Sequence, residues 1–525
     1  MRAPHFKWLQ RSLLKLKSHK ALCGLFISFL SGLTTLICLI VLSLLLPKDS
    51  ILHPPTNSGP DLIEHVDLPE EWSSYWQDFF RPDEPTQFET TQSVLIDSEG
   101  AFGTQDGNAE DTDNLDDSES AFDPLVMLDS TFWQYPESDD SDDIFYSPLV
   151  DPNPFYRQDA LSDPLDRVSN KFAIPEGLLK RTQFWFDIYT KYDSKVHVIH
   201  HLRYPWIVFK IVDTRKMISS GKGPLWLRRQ RAQRLVANEK KKIVSILNKL
   251  ARKRNWKGLN AEENRVLNIF KGFPGKKSTQ LKFAAQNIRS QLGQKDFFLS
   301  GLKASHRYLS QMEEIFREQG LPIELTRLPF VESSFNVKAE SKVGASGIWQ
   351  IMPRTGKAYL TVSKDIDERN SPLKATKAAS RILRSYYYSL KSWPLAVTGY
   401  NHGIGGILKA RRKVKSSDLT TIIRRYHGGS FKFASSNFYT CFLAALHAEK
   451  YHDKIFPDLE KDELLETKKI KLKRSLRLKR IAVLTGIDLD TLVKLNLDLK
   501  NSAKRNPLLP RGYVLHLPPE IEPKI

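Results

Sequence analysis

The strongest constraint on this chain is a run of uncharged residues, Ala21 to Leu46, near its N-terminus. About 20 apolar residues suffice to span the hydrocarbon core of a bilayer. The run exceeds the usual length of a signal-peptide core, and no small-x-small cleavage pattern follows it. Residues 1–20 are basic, so the positive-inside rule places them in the cytoplasm. We predict an uncleaved transmembrane anchor at 21–46; a cleaved signal peptide and a buried helix of a soluble domain are the alternatives.

Charge is distributed very unevenly after the anchor. From Pro82 to Tyr156 the chain has 20 Asp and Glu and no Lys or Arg, whereas from Arg157 to Ile525 it has 71 Lys and Arg against 33 Asp and Glu. The acidic low-complexity stretch cannot bury enough apolar surface to offset the entropy of ordering. We therefore predict a disordered acidic linker at 47–166. The basic remainder favours a polyanionic partner, which can be nucleic acid, anionic lipid or an acidic cell-wall polymer.

Residues 167–292 have the pattern of an accessory region of mixed α/β structure. An aromatic helical segment is followed by two short alternating stretches and by a long basic amphipathic helix at about 224–253. His197, His200 and His201 could indicate a metal site. In a strand, however, His200 faces away from the other two, which favours structural histidines. No cysteine pattern typical of metal ligands is present, and we expect neither a metal nor a cofactor.

Chemistry is indicated most clearly at Glu332. This residue ends a mostly apolar segment and precedes the sequence SSFN, which is typical of a helix end. A carboxylate held against apolar neighbours keeps its proton at neutral pH, because burial disfavours the charged form. A protonated carboxyl can donate to a glycosidic oxygen. Taken alone, a glutamate near a helix end is more often a solvated surface residue.

Three motifs follow in order: Glu332-Ser333, the turn Gly347-Ile348-Trp349-Gln350, and Gly399-Tyr400-Asn401. With Tyr439 in the later segment SSNFYTCFLAALHAEKY, this arrangement resembles the lysozyme-like catalytic domain of the soluble lytic transglycosylase superfamily. The resemblance is greatest to its membrane-bound murein transglycosylase D branch. Gly399 departs from the alanine that is usual in the family.

The resemblance implies a peptidoglycan lytic transglycosylase. Such an enzyme cleaves the β-1,4 bond between N-acetylmuramic acid (MurNAc) and N-acetylglucosamine (GlcNAc) without water and leaves a 1,6-anhydro end. Glu332 would be the single acid and base, with the lysozyme-like domain at 293–458. The substrate-binding residues implied are Ser333, Ser341, Gln350, Tyr400, Asn401 and Tyr439. Trp349 is expected either to face the sugar or to belong to the core. The anchor would then lie in the inner membrane, with the catalytic domain in the periplasm.

The segment 467–520 has the order strand, helix, helix, strand. It resembles a LysM module, which binds glycans that contain GlcNAc, in the helix IAVLTGI, in Leu495-Asn496 and in Gly512-Tyr513. The usual opening Gly-Asp-Thr is absent, which indicates a degenerate module. A small domain without a ligand is the alternative. The expected fold is thus mainly α: a lysozyme-like domain between a small α+β region and a βααβ LysM-like domain.

Other functions remain open at this point. A hydrolytic muramidase would use water, and a non-catalytic peptidoglycan-binding scaffold would not need Glu332. Nucleic-acid binding is not expected, because the predicted topology places the basic part outside the cytoplasm. The acidic residues Asp365, Asp367 and Glu368 lie in a predicted loop, and we expect them to cap the helix that begins near Pro372. A second catalytic carboxylate is therefore not predicted.

Overall fold

The computed structural model describes residues 159–271, 273 and 275–522. The predicted cytoplasmic tail, the predicted anchor and the predicted linker up to residue 158 lie outside these residues. Within them, no helix combines the length and the apolar character that a membrane crossing needs. Helices predominate over strands in this part of the chain, which confirms the prediction of a mainly α fold.

The helices of the described residues are, in chain order, α1 (Glu176–Thr190), α2 (Arg215–Ser220), α3 (Leu225–Arg252), α4 (Ala261–Ile269), α5 (Lys277–Gln286), α6 (Lys295–Ser305), α7 (Leu309–Glu318), α8 (Leu328–Glu332), α9 (Pro353–Lys357), α10 (Pro372–Leu390), α11 (Trp393–His402), α12 (Ile404–Val414), α13 (Leu419–Arg425), α14 (Phe433–Lys450), α15 (His452–Ile455), α16 (Leu478–Thr485) and α17 (Leu489–Leu495). The strands are β1 (Val196–His201), β2 (Val208–Asp213), β3 (Ile288–Leu292), β4 (Lys468–Lys471), β5 (Leu476–Arg477), β6 (Leu508–Leu509) and β7 (Val514–Leu517).

The accessory region is built on a three-stranded antiparallel sheet with the order β2-β1-β3. Helix α3 packs against this sheet and against α5. Its buried residues Val236, Ile243, Leu247 and Leu250 recur on one face, as expected for an amphipathic helix. The structure therefore confirms the long helix that was predicted at about 224–253.

The three histidines of β1 are enclosed by other parts of the protein, and two of them pack against aromatic rings. The ring centroids of His200 and Phe184 are 4.8 Å apart, and those of His201 and Tyr204 are 5.1 Å apart. Burial lowers the pKa of His197 and of His201 to about 4, and it also lowers the pKa of His200. The rings are therefore neutral at pH 7. Among the described residues, no group of three or more His, Cys, Asp or Glu side chains is arranged to hold a metal ion.

The largest core surrounds α14, which is buried along nearly its whole length. Its sequence, FASSNFYTCFLAALHAEK, is apolar or small on all sides, and a helix of that composition is stable only when it is enclosed. Helices α1, α8 and α11 pack on it. The side-chain oxygen of Asn437 accepts hydrogen bonds from Arg181 at 2.8 Å and from the indole of Trp185 at 3.0 Å, which joins α1 to α14.

The packed part of the chain begins before the predicted end of the linker at residue 166. Ala160 and Leu161 are buried in the largest core. The carboxylate of Asp163 accepts hydrogen bonds from the amides of Arg167 and Val168, both at 2.9 Å, and from the hydroxyl of Tyr451 at 2.6 Å. The predicted boundary is therefore wrong for residues 159–166. The acidic composition of the linker concealed this short segment with its apolar pair.

The C-terminal module, residues 467–520, has the predicted order of strand, helix, helix and strand. Strand β4 pairs antiparallel with β7, and α16 and α17 lie between them in sequence. Gly486, with φ of 69°, ends α16, and the side chain of Asp488 accepts from the amide of Thr491 at 2.8 Å to begin α17. A short pair, β5 with β6, was not predicted. Ile366, from the preceding domain, is buried in the core of this module.

Candidate active site

Glu332 is the last residue of α8, and the backbone reverses direction directly after it. Ser334 and Phe335 have φ of 49° and 56°, a left-handed conformation that side chains rarely adopt. The amide of Phe335 donates to the carbonyl of Pro329 at 3.2 Å. A Cβ atom on Gly301 of α6 would lie 2.8 Å from the carbonyl oxygen of Ser334, so the two backbones are in close contact. The end of α8 is thus held by a strained and tightly packed turn.

The side chain of Glu332 is buried, with 3% of its surface exposed. Burial raises the pKa of its carboxyl well above the ordinary value of 4.5, since desolvation disfavours the ionised form. Burial also raises the pKa of the hydroxyls of Tyr189 and Tyr400, and the charge of Glu332 raises them further. Both tyrosines therefore lie within electrostatic reach of Glu332. These surroundings favour the protonated form of the carboxyl to a higher pH than in a solvated glutamate.

Gln350 lies on a tight turn that requires glycine at position 347. Gly347 has φ of 74°, and a Cβ there would lie 2.0 Å from the carbonyl oxygen of Arg369. The side-chain amide of Gln350 donates to the carbonyl of Gly347 at 2.7 Å and to that of Ala339 at 3.3 Å. Its Oε1 atom is buried and has no hydrogen-bond partner in the described part of the chain. A buried acceptor without a partner is costly in free energy, so this oxygen is suited to bind a donor of a ligand.

Two hydrogen bonds join this turn to the rest of the site. The hydroxyl of Ser333 donates to the carbonyl of Ile348 at 2.8 Å. The hydroxyl of Tyr400 on α11 donates to the carbonyl of Trp349 at 2.9 Å. The helix end that carries Glu332 and the turn that carries Gln350 are therefore held in a fixed relation.

The other predicted binding residues are buried and form contacts within the protein. Ser333 is fully buried. The hydroxyl of Ser341 accepts from the amide of Ala345 at 2.7 Å and so closes the loop before Gly347. The side-chain oxygen of Asn401 accepts from the hydroxyl of Ser435 at 3.2 Å. The hydrogen bonds of Ser333 and Ser341 help to position the turn, and their predicted contacts with the sugar stay predictions.

Tyr439 lies on α14 and is 2% exposed, and burial raises the pKa of its hydroxyl. Trp349 is fully buried, and its ring stacks on that of Phe316 with 5.9 Å between the ring centroids. Its indole donates to the hydroxyl of Thr376 at 2.8 Å. Of the two expectations for Trp349, core packing is therefore correct.

The acidic loop residues are engaged in ion pairs. Asp367 pairs with Arg369 at 2.7 Å, and Glu368 pairs with Lys374 at 3.2 Å. Asp365 lies 3.5 Å from the guanidinium of Arg505 in the C-terminal module. The prediction that they cap α10 is wrong: that helix begins after Ser371 without a side-chain cap. Asp367 instead accepts from the amide of Arg369 and caps the 3-10 turn Glu368–Asn370.

Two residues near the site were not predicted from the sequence. Tyr189 belongs to the aromatic helix α1 of the accessory region, and nothing in its local pattern indicates proximity to Glu332. Arg327 is buried just before α8 and binds the carboxylate of Glu449 through two hydrogen bonds, at 2.9 and 3.1 Å, and also Glu313. An arginine within an apolar segment was the available signal for a buried ion pair.

Comparison with known proteins identifies the segment that contains this site. Residues 312–423 match the family described as Transglycosylase SLT domain. Two relatives named membrane-bound lytic murein transglycosylase D, from Escherichia coli (strain K12) and Escherichia coli O6:H1, are each 36% identical over 107 residues, which is 20% of this chain and 24% of the relative. A putative tributyltin chloride resistance protein of Alteromonas sp. (strain M-1) is 32% identical over 111 residues, 21% of this chain and 54% of that protein.

The chain thus spans about a quarter of the length of the two Escherichia coli relatives. The segment 312–423 includes Glu332, the turn at Gln350 and Asn401. These are the motifs on which the resemblance to the murein transglycosylase D branch depends. That resemblance is confirmed over this segment, and the chain carries a transglycosylase SLT domain.

Proposed function

We propose that this protein is a peptidoglycan lytic transglycosylase that cleaves the β-1,4 bond between MurNAc and GlcNAc and forms 1,6-anhydro-MurNAc. The observation that supports this most directly is the burial of Glu332, which keeps one carboxyl protonated beside Tyr189 and Tyr400. The neighbouring acidic residues Asp365, Asp367 and Glu368 are committed to basic partners. One carboxyl therefore performs both proton transfers.

In the first step the protonated carboxyl of Glu332 donates its proton to the glycosidic oxygen. The bond between that oxygen and C1 of MurNAc breaks, and the GlcNAc side departs as an alcohol. Positive charge develops at C1, and the new carboxylate of Glu332 stabilises it electrostatically. The high pKa of this carboxyl in the free protein is what makes it an acid at neutral pH.

In the second step the carboxylate of Glu332 accepts the proton of the 6-hydroxyl of the same MurNAc residue. The 6-oxygen then bonds to C1 and closes the anhydro ring. The carboxyl is protonated again, and no water is consumed. Exclusion of water from the buried site favours this internal attack over hydrolysis.

The substrate contacts that we propose follow from the site. The unpartnered Oε1 of Gln350 accepts from an amide or hydroxyl of the sugar strand. Tyr439 on α14 and Asn401 on α11 are the further side chains that we propose to contact the sugar strand. Tyr400 and Ser333 act mainly by holding the turn that carries Gln350.

The mass of the reaction products tests this proposal. Purified peptidoglycan digested with the protein is expected to yield muropeptides with anhydro-MurNAc ends, each lighter by one water than the product of hydrolysis. Glu332→Gln protein, which cannot donate the proton, is the negative control for this digestion. Products with reducing MurNAc ends would assign the protein to the hydrolytic muramidases instead. Equal cleavage by the Glu332→Gln protein would leave Glu332 without a catalytic role.

We further propose that residues 21–46 anchor the chain in the inner membrane, with 1–20 in the cytoplasm and the catalytic domain in the periplasm. The apolar run and the basic residues before it support this topology. The name of the Escherichia coli relatives includes the word membrane-bound. Protease added to intact spheroplasts is expected to digest residues 159–522 and to spare the N-terminal tail. Protection of the catalytic domain until the cells are lysed would refute this topology.

A further inference from the structure

The C-terminal module is bound to the catalytic domain through a loop, residues 361–371, that joins α9 to α10. Asp498 is a buried residue of this module. Its carbonyl oxygen accepts from the amide of Asp367 in the loop at 2.9 Å. Its carboxylate accepts from the ammonium group of Lys374 at 2.7 Å and from the hydroxyl of Tyr513 at 2.9 Å. A buried carboxylate with these partners fixes the module at one position on the catalytic domain.

Further contacts bind the module to the main chain of the same loop. The hydroxyl of Ser502 donates to the carbonyl of Asp365 at 2.6 Å, and the guanidinium of Arg505 donates to the carbonyl of Lys364. Ile366 is 6% exposed because the apolar core of the module encloses it. The loop therefore depends on the module for much of its support.

The opposite side of this loop holds the turn of the active site. The guanidinium of Arg369 donates to the carbonyls of Gly344 and Ile351, at 2.6 and 3.0 Å, which are the two ends of that turn. The side-chain oxygen of Asn370 accepts from the hydroxyl of Ser346 at 2.7 Å. Arg369 is itself oriented by an ion pair with Asp367 of the same loop.

These contacts form a continuous path from the module to Gln350. We propose that the C-terminal module acts as a brace for the active site, and that Ser502 and Arg505 are positioning residues for glycan cleavage. This inference rests on the proposed function. It assigns the module a role beside any affinity for glycan, since the brace acts even on a substrate too short to reach the module. A positioning error of about 1 Å can lower a rate by about a hundredfold, so a loosened turn has a measurable effect.

The test uses the full chain with the double substitution Ser502→Ala/Arg505→Gln. The matched control, Ser475→Ala/Arg511→Gln, changes the same residue types within the same module. The hydroxyl of Ser475 accepts from the amide of Arg511 at 3.2 Å, a contact that lies within the module. We expect the first variant to lower kcat on short soluble muropeptide oligomers by about three- to tenfold, with a smaller change in KM. We expect the control to resemble the original protein.

Hydrogen exchange provides a direct measure of the turn. Amides of residues 344–351 are expected to exchange at least about threefold faster in the Ser502→Ala/Arg505→Gln variant, while those of α14 do not change. The single variant Arg505→Lys retains a hydrogen-bond donor and keeps Ser502. Its exchange rates and kcat are expected to be close to those of the original protein. Because Arg505 is partly exposed, the single variant Arg505→Gln is expected to fold normally and provides the same comparison if the double variant is unstable.

The outcomes separate this inference from the proposed function. If the original protein forms no anhydro products, the proposed function fails. If the original protein is active, and the double variant retains full kcat on short oligomers and unchanged exchange in the turn, the brace is refuted. Loss of activity on intact sacculi alone would show that the module contributes binding and not position.

Discussion

Glu332→Gln protein is expected to cleave glycan strands at least about a thousandfold more slowly than the original protein, and to melt at a higher temperature. The rate falls because glutamine can neither donate nor accept the proton, and general acid–base catalysis contributes about 10² to 10⁴ in rate. Stability rises because the neutral amide has no ionised form whose burial is unfavourable. Initial rates on purified peptidoglycan and thermal melting measure the two effects. Glu340→Gln, at the next acidic residue along the chain, is the matched control and should change neither.

The pH dependence of both effects follows from the direction of the pKa shift. Cleavage needs protonated Glu332, so the rate should fall as pH rises through its raised pKa and should not fall for this reason on the acidic side. Between the unfolded pKa of about 4.5 and the raised folded pKa, the native state binds more protons than the unfolded state, and stability therefore decreases as pH rises. The stabilisation by Glu332→Gln should grow across this window. A stabilisation independent of pH would contradict the assignment of the buried proton to Glu332.

Arg327→Ala is expected to lower the free energy of unfolding by about 3 to 5 kcal/mol, because it leaves the carboxylate of Glu449 buried without a cation. Burial alone would raise the pKa of Glu449, but Arg327 more than offsets this and holds the pKa below its ordinary value. Urea denaturation measures the loss. The control Arg317→Ala removes an exposed ion pair with Glu314 and should cost less than about 1 kcal/mol.

A second comparison separates the ion pair from general packing. Arg327→Met combined with Glu449→Leu replaces the pair by apolar side chains of similar size. It should recover much of the stability that Arg327→Ala loses, because the fully buried carboxylate of Glu449 is removed and the remaining partner, Glu313, is partly exposed to solvent. A double variant less stable than Arg327→Ala would show that Arg327 acts through contacts other than this pair.

The sequence predicted the parts of this protein that depend on local patterns. The amphipathic spacing predicted α3, and the apolar segment before SSFN predicted the buried Glu332. In the C-terminal module the two helices and the outer strands β4 and β7 occur in the predicted order, with the unpredicted pair of β5 and β6 between those strands. The motif at Gly347 identified a turn whose glycine the structure explains by close contact with Arg369.

The sequence did not reveal contacts between segments that only the fold brings together. The hydroxyl of Ser333, which was predicted to bind the sugar, donates to the carbonyl of Ile348 on the turn that carries Gln350. Tyr189 was missed because α1 reaches Glu332 by packing on α14. The bond from the amide of Asp367 to the carbonyl of Asp498 in the C-terminal module was likewise not predicted. Local pattern cannot report a contact between such remote segments.

The dependence of the site on α1 and α14 has a consequence for the timing of activity. Tyr189 comes from before the SLT segment at 312–423, and α14, which packs on α8, comes after it, so this segment does not contain all the elements that surround Glu332. During synthesis, Glu332 emerges well before Phe433–Lys450 can cover it. If the proposed function holds, a chain that ends before α14 is expected to lack cleavage activity, because α14 packs on the helix that carries Glu332.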